Sequence, residues 1–317
     1  MPSDGDHRSC PSSPDREAGL TRIFALLGPT ASGKSEVALA LAETLGAPII
    51  SVDSMQVYLG MDIGTAKPTQ GDRHRVPHYM IDLVPPEAEY TAAEFQREAR
   101  QILDADEYET VLIVGGSGFH FRAVIDPHNF PPHDPATRLE VDDLSDAVAE
   151  LVAVDPTAGG VVDLANRRRV VRALEVHRLT GLTPTVRAAS READALRRYQ
   201  PYYPFRAAGI DPGAGLEQRI AIRVDQMRAQ GFVDEVRALQ NRLGRTSSNA
   251  VGYRQLLDHL QGRSDEEAAW ARVHQATLGL ARRQRTYFRR DPRVGWVDWK
   301  DPLEARVELV RRAWGLG

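Results

Sequence analysis

Short apolar runs that stop at turn residues alternate, through the first half of the chain, with longer segments whose apolar positions recur every three or four residues. Residues 23–27, 48–52 and 111–114 are nearly all apolar and run into Gly28, Asp53 and the pair Gly115 and Gly116. Strands apolar on both faces belong in a parallel sheet covered by helices on either side. Between the second and third runs, Thr91 and Glu94 form a capping box ahead of Phe95, Ala99, Ile102 and Leu103, whose spacing predicts a helix with one buried stripe. The pattern predicts an α/β fold with a parallel sheet flanked by helices.

Pro127, Pro131, Pro132 and Pro135 then interrupt regular structure, and an acidic stretch follows. Residues 127–161 read as a short insertion without a core of its own, leaving a main domain of 21–126 and 162–317. A basic helix is expected over 166–179, ended by Gly181, and a further strand over 205–210 before Asp211 and Pro212. The last third is helical in pattern. Leu216, Ile220, Val224 and Met227 keep helical spacing, Gly231 interrupts, and Val233, Val236 and Leu239 resume. Ser264 and Glu267 are expected to cap a long helix reaching Arg290, before Pro292.

Composition narrows the class. With 42% hydrophobic and 26% charged residues over 317 positions, the chain has the make-up of a globular protein. No run approaches the roughly 20 apolar residues of a membrane span. Residues 1–20, rich in Ser, Pro, Asp and Gly, are expected to be a disordered leader of a cytoplasmic protein, and the one cysteine, Cys10, falls there. The net charge of −4 hides an asymmetry. Residues 1–150 carry 11 Lys+Arg against 25 Asp+Glu, whereas 151–317 carry 29 against 19. An excess of that size in the C-terminal half suggests a polyanionic partner.

Gly28, Pro29, Thr30, Ala31, Ser32, Gly33, Lys34 and Ser35 match G-x-x-x-x-G-K-[ST] between an apolar strand and a helix expected over 36–45. Backbone N–H groups and a helix N-terminus would cradle an anion, Lys34 would add a mobile charge, and the Ser35 hydroxyl would coordinate magnesium. A di- or triphosphate ligand is therefore expected. Nucleotide hydrolases of this kind place an acid at the end of a second apolar strand. Here the strand over 111–114 ends in Gly115, Gly116 and Ser117, and Asp53 ends another, so the signature of an ordinary ATPase is incomplete.

The residues 51–58 (SVDSMQVY) and 60–68 (GMDIGTAKP) closely resemble bacterial tRNA dimethylallyltransferases. So do Pro77, His78, Ile81 and Asp82, the turn from Gly115 to Gly118, Asn166 with Arg169 and Arg172, residues 231–237, Gly252 with Tyr253 and Arg254, and Arg282 with Arg283 and Gln284. The resemblance covers roughly residues 22–300. It implies a P-loop NTPase-like core with a small mobile insertion, magnesium, and transfer of a dimethylallyl group from dimethylallyl diphosphate to N6 of the adenosine 3′ of the anticodon, in tRNAs that read codons beginning with U. Pyrophosphate leaves, and ATP is not consumed.

On that resemblance Asp53 accepts the N6 proton and orients the amine, although an ordinary carboxyl pKa of about 3.9 makes it a weak base. The phosphate loop, Lys34 and magnesium on Ser35 hold the departing pyrophosphate, Ser117 contacts a phosphate or the amine, and Arg237 reaches the pyrophosphate. The adenine must be flipped out of the anticodon loop. Ser54, Met55 and Gln56 would meet the base. Arg138, Asn166, Arg169, Arg172, Gly252, Tyr253, Arg254, Arg282, Arg283, Gln284 and Arg289 would meet the anticodon stem-loop, with Arg282, Arg285 and Arg289 on one helix face beside Tyr287 and Phe288.

The chain departs from the family's pattern in a shorter insertion, in Leu278 and Gly279 in place of Arg-Gln, in Tyr287 for Trp, and in His120 for Tyr. A monomer is expected. The rival readings are an adenylate isopentenyltransferase, a P-loop small-molecule kinase and a non-catalytic RNA-binding protein; a basic C-terminal helix argues against the first two, and intact Lys34, Ser35 and Asp53 against the last.

Overall fold

The computed structural model describes residues 21–317, so the expected leader and Cys10 lie outside the described residues. The apolar runs become strands: β1 (Arg22–Leu27), β2 (Ile49–Ser51), β3 (His78–Tyr79), β4 (Thr110–Gly115), β5 (Phe205–Asp211) and β6 (Val294–Asp298). They form one parallel sheet in the order β3-β2-β4-β1-β5-β6. β1 and β4 lie inside the sheet and are buried along almost their whole length, as their unbroken apolar sequences require. The edge strands β3 and β6 were not legible. β3 has two half-buried residues, and β6 carries Gly295 and an exposed final Asp298.

The helices are α1 (Lys34–Leu45), α2 (Gln70–Arg75), α3 (Ala92–Asp104), α4 (Gly118–Ile125), α5 (Pro135–Asp142), α6 (Ala147–Val154), α7 (Arg167–Thr180), α8 (Pro184–Ala188), α9 (Arg191–Arg197), α10 (Leu216–Ala229), α11 (Phe232–Leu239), α12 (Tyr253–Leu260), α13 (Glu266–Arg289) and α14 (Leu303–Ala313). On one sheet face, Val37 and Leu41 of α1 pack with Phe24, Leu26, Leu112 and the fully buried Trp314 after α14. Trp314 Nε1 also donates to the Ala25 carbonyl at 3.1 Å, which ties the chain's last helix to the central strand. On the other face α3, α4, α10, α11, α12 and α13 contribute Phe95, Phe121, Ile220, Phe232, Tyr253 and Phe288 to a larger core. Each such fully buried side chain contributes about 1.5–3 kcal/mol.

The capping box at α3 forms: Thr91 Oγ1 accepts from Glu94 N at 3.2 Å, and Glu94 Oε2 accepts from Thr91 N at 2.7 Å. At α13 the expected cap is displaced by one residue. Asp265 Oδ1 accepts from Ala268 N at 2.7 Å, while Ser264 Oγ accepts from Arg272 instead. A carboxylate at the end of a helix N-terminus outcompetes a neighbouring hydroxyl for its orphan donors.

The expected insertion over 127–161, without a core, differs from the structure. Val141, Ala147, Leu151 and Ala158 bury themselves against Val170, Val171 and Leu174 of α7, forming a separate small core. α5 and α6 are too short and too singly faced to bury their apolar residues without α7, so the helical unit continues past residue 161, and the sheet resumes only at β5. Its hub is Glu175, a fully buried carboxylate bonded to Asp134 N at 3.1 Å, His133 Nδ1 at 2.5 Å, Arg138 at 3.2 Å and Arg172 at 2.9 Å. Burial works against its charge, yet the bonds from Arg172, His133 and Asp134 hold its carboxyl below the ordinary range.

Candidate active site

Three parallel strands end side by side, and their loops make the site. The register places Leu27 of β1 beside Gly115 of β4 and Gly209 of β5, so Gly28 leaves the sheet between two glycine-bearing strand ends. A Cβ on Gly115 would stand 2.4 Å from the Val52 carbonyl, so only glycine allows β4 to approach the segment that carries Asp53. Ser117 N donates to that same carbonyl at 3.2 Å. The phosphate loop turns into α1 at Gly33, with φ 73°, a conformation that favours glycine. α1 therefore starts at Lys34, two residues before the expected position.

These loops open on a cavity of about 600 Å³. Its lining combines polar groups, among them Thr30, Lys34, Ser35, Asp53 and Arg223, with apolar side chains that include Met55, Met227, Phe232, Val273 and Leu280. Such a mixed lining suits an amphiphilic ligand with an anionic head. Met55 N donates to Asp53 Oδ1 at 2.9 Å, and among the described residues Oδ2 has no protein partner. Burial, then the charge of Arg223, pull the Lys34 amine down to about 8, while Asp53 opposes them. Burial also lowers Arg223, again opposed by Asp53, and among the described residues Arg223 Nε is buried without a partner. Two cations forced together beside a single carboxylate call for an anion between them.

A pH effect follows. Lys34 binds an anion only when charged, so pyrophosphate affinity is expected to be level below about pH 8 and to weaken above it, by up to about tenfold per unit. Titration calorimetry from pH 7 to 10 measures this. A Lys34→Met variant should bind weakly with no such slope.

Arg223 was not legible as a site residue. The signal that could have found it is its place on the apolar stripe of α10, between Ile220 and Met227, where a surface arginine does not belong. Arg237, expected at the pyrophosphate, instead pairs with Asp234 on the surface of α11 and does not line the cavity. The one-turn spacing of that pair satisfies its charge locally.

Other expected contacts divide. Gln56 lines the cavity, but its amide is engaged: Oε1 accepts from Ser51 Oγ at 2.7 Å and Nε2 donates to the Thr65 and Ala66 carbonyls. Gln284 meets the phosphate loop itself, where its Oε1 accepts from Thr30 N at 2.8 Å. Gly252 lines the apolar side, whereas Tyr253 is fully buried and donates to Glu235 at 2.5 Å, which excludes it from direct RNA contact. Glu235 also accepts from Asp62 N and Ile63 N at 2.9 and 2.7 Å, so this pair anchors the 60–68 turn. Arg289 and Arg285 pair with Asp211 at the end of β5. Those pairs hold α13 on the sheet, and Arg282 and Arg283 remain on its exposed surface. Arg254 is likewise exposed, and Ser54 is half-buried outside the cavity lining.

Ser117, expected at the site, precedes α4 but does not line the cavity, and its hydroxyl shares a 2.8 Å hydrogen bond with His120 Nδ1. Burial lowers the His120 pKa below its ordinary value, against the pull of Asp53. Away from the sheet, Arg138, Asn166, Arg168, Arg169, Arg172 and Arg187 line a second, open cavity of about 750 Å³ in the helical unit. Arg138 and Arg172 are partly neutralised there by Glu175, Arg169 stands 3.8 Å from Asp163, and Asn166 also caps α7.

Known proteins converge on the same reading. The family model described as IPP transferase matches residues 56–291. A tRNA dimethylallyltransferase of Salinispora arenicola is 44% identical over 288 residues, which span 87% of this chain and 82% of that protein. One from Streptomyces coelicolor is 41% identical over 307 residues, 93% of this chain and 95% of that protein. The crystal structure of a tRNA delta(2)-isopentenylpyrophosphate transferase from Staphylococcus epidermidis, 30% identical, superposes with a TM-score of 0.67 over 92% of this chain and 98% of its own. With a phosphate loop, an aspartate in the same cavity and relatives of this likeness over nearly the whole chain, the protein belongs to the IPP transferase family, the tRNA dimethylallyltransferases.

Proposed function

We propose that the protein transfers a dimethylallyl group from dimethylallyl diphosphate to the exocyclic N6 of an adenosine in tRNA, the one 3′ of the anticodon in tRNAs reading codons that begin with U. The observation that carries this is the single cavity joining Lys34 and Ser35, Asp53, and the apolar side chains of Met227, Phe232, Val273 and Leu280. A five-carbon prenyl diphosphate offers an anionic head to the polar groups and an apolar tail to the apolar ones.

In the reaction the bond between the allylic carbon and the diphosphate oxygen breaks, and N6 bonds to that carbon. The electron pair leaves with pyrophosphate, and the N6 proton passes to Asp53. The loop N–H groups, Lys34 and Arg223 stabilise the charge that gathers on the leaving group. Asp53 orients the amine through its unengaged oxygen and takes the proton as the new bond forms.

Magnesium fits the donors present. Among the described residues no group of three or more His, Cys, Asp or Glu gathers to hold a metal, and a hydroxyl with substrate phosphates is a customary magnesium environment. The ion would arrive with the diphosphate, be held by Ser35, and neutralise phosphate charge. The arginines of the second cavity, with exposed Arg254, Arg282 and Arg283, form the basic surface expected to take the anticodon stem-loop. Among the described residues no helix is long and apolar enough to cross a membrane. As a tRNA-modifying enzyme the protein is proposed to work in the cytoplasm, as a monomer.

The test incubates the purified protein with labelled dimethylallyl diphosphate, magnesium and unmodified tRNA, with AMP in a parallel reaction. Label is expected in tRNA at the adenosine 3′ of the anticodon and not in AMP. Label in AMP alone overturns the tRNA assignment, and ATP turnover without prenyl transfer would establish a kinase.

A further inference from the structure

Arg306 of α14 is only 5% exposed, yet among the described residues its Nε and Nη1 have no hydrogen-bond partner. Nη2 reaches Glu36 Oε2 at 3.4 Å, and Glu36 is itself mostly in solvent. A guanidinium withdrawn from water with most of its donors idle costs several kcal/mol. Such a group persists where an absent partner would satisfy it.

Its surroundings say which partner. The guanidinium lies 4.1 Å from the ring centre of Trp299, and Arg219 lies 4.2 Å from the same ring. Arg219 is spent on backbone, donating to the Ala31 and Pro212 carbonyls. Arg306 is not. A Cβ built on Gly33 would stand 2.5 Å from Arg306 Nη1 and 2.3 Å from Trp299, so both side chains lie directly against the glycine at the turn of the phosphate loop into α1. Leu303, one turn earlier on the same face of α14, lines the cavity; Arg306 and Trp299 do not, and they reach the loop at Gly33 instead. Ser32 Oγ, in the loop itself, is also buried without a partner. Idle donors thus gather where the N-terminus of the twelve-residue helix α1 already favours negative charge. Residues 299 and 306 lie beyond the 56–291 span matched by the family model.

We propose that Arg306 is a diphosphate-binding residue, held over the loop by Trp299, that joins Lys34 and Arg223 in gripping the donor and the departing pyrophosphate. The C-terminal strand and helix thereby complete the anion site as well as the sheet. The assignment rests on reading the loop as the diphosphate site.

Calorimetric titration with magnesium pyrophosphate, paired with thermal melts of the ligand-free protein, tests it. Arg306→Met is expected to weaken pyrophosphate binding about tenfold or more, while the ligand-free melting temperature holds or rises, because an idle buried charge has been removed. Arg306→Lys keeps the charge but loses the planar fork, and should bind about threefold to tenfold more weakly than the unaltered protein. Pyrophosphate affinity within twofold of the unaltered protein in the Met variant, or in the Lys variant should the Met variant not fold, overturns the proposal. Failure of the unaltered protein to bind pyrophosphate would instead overturn the diphosphate site itself.

Discussion

Asp53→Asn is expected to lower kcat for prenyl transfer by roughly 10²–10⁴-fold with tRNA affinity nearly unchanged. Asn keeps the shape of the side chain and can still accept from Met55 N, so the turn after β2 should survive. What it loses is the negative charge that draws the proton from N6, and the carboxylate that Lys34 and Arg223 face. Single-turnover transfer to tRNA, with a separate binding measurement, distinguishes these effects. A variant that transfers at the unaltered rate removes Asp53 from the chemistry. A variant that fails to bind tRNA would show instead that the residue supports the RNA surface.

The second large effect is expected at Arg223. Arg223→Met should reduce kcat/KM for dimethylallyl diphosphate by roughly 10²–10³-fold, since a buried cation aimed at developing charge is worth most where water is excluded. Methionine fills a similar volume on the α10 stripe beside Ile220 and Met227, so the helix should stay in place. Removing Arg223 also relieves Lys34 of the charge that lowers its pKa, and the pH above which pyrophosphate binding weakens should move upward from about 8. Steady-state kinetics with varied donor measures the first effect, and calorimetry across pH the second. An unchanged kcat/KM would place Arg223 in a structural role. By contrast Arg237→Met, which breaks only an exposed pair with Asp234, should leave the donor kinetics close to those of the unaltered protein.

Local patterns carried much of this protein to the surface of its sequence. The inner strands were legible because strands buried on both faces must be apolar throughout, and α3 because its cap and its stripe agree. The phosphate loop was legible because a backbone that wraps an anion needs glycine at fixed places, with Lys34 and Ser35 opening the helix that follows and Asp53 just past another strand. The resemblance of 51–68 added the chemistry, which no spacing supplies.

Which side chain meets which could not be read in the same way, because pairing across elements depends on distances that no local period encodes. Arg223 and Arg237 look alike as letters, and only the packing of α10 under the loop sends one into the cavity while α11 leaves the other in water. Tyr253 and Arg289 resemble RNA contacts in sequence, but Glu235 and Asp211, respectively 18 and 78 residues away, claim them. The helical unit gained its core only when α7 folded back on α5 and α6. Arg306 lies 270 residues from Glu36 along the chain and against Gly33 in space. The sequence thus determined the inner strands and the glycine-rich loop with its helix, since these arise from neighbours in the chain; tertiary packing decided the edge strands, the helical unit's core and which charges gather at that loop, since burial and charge satisfaction are properties of the assembled fold.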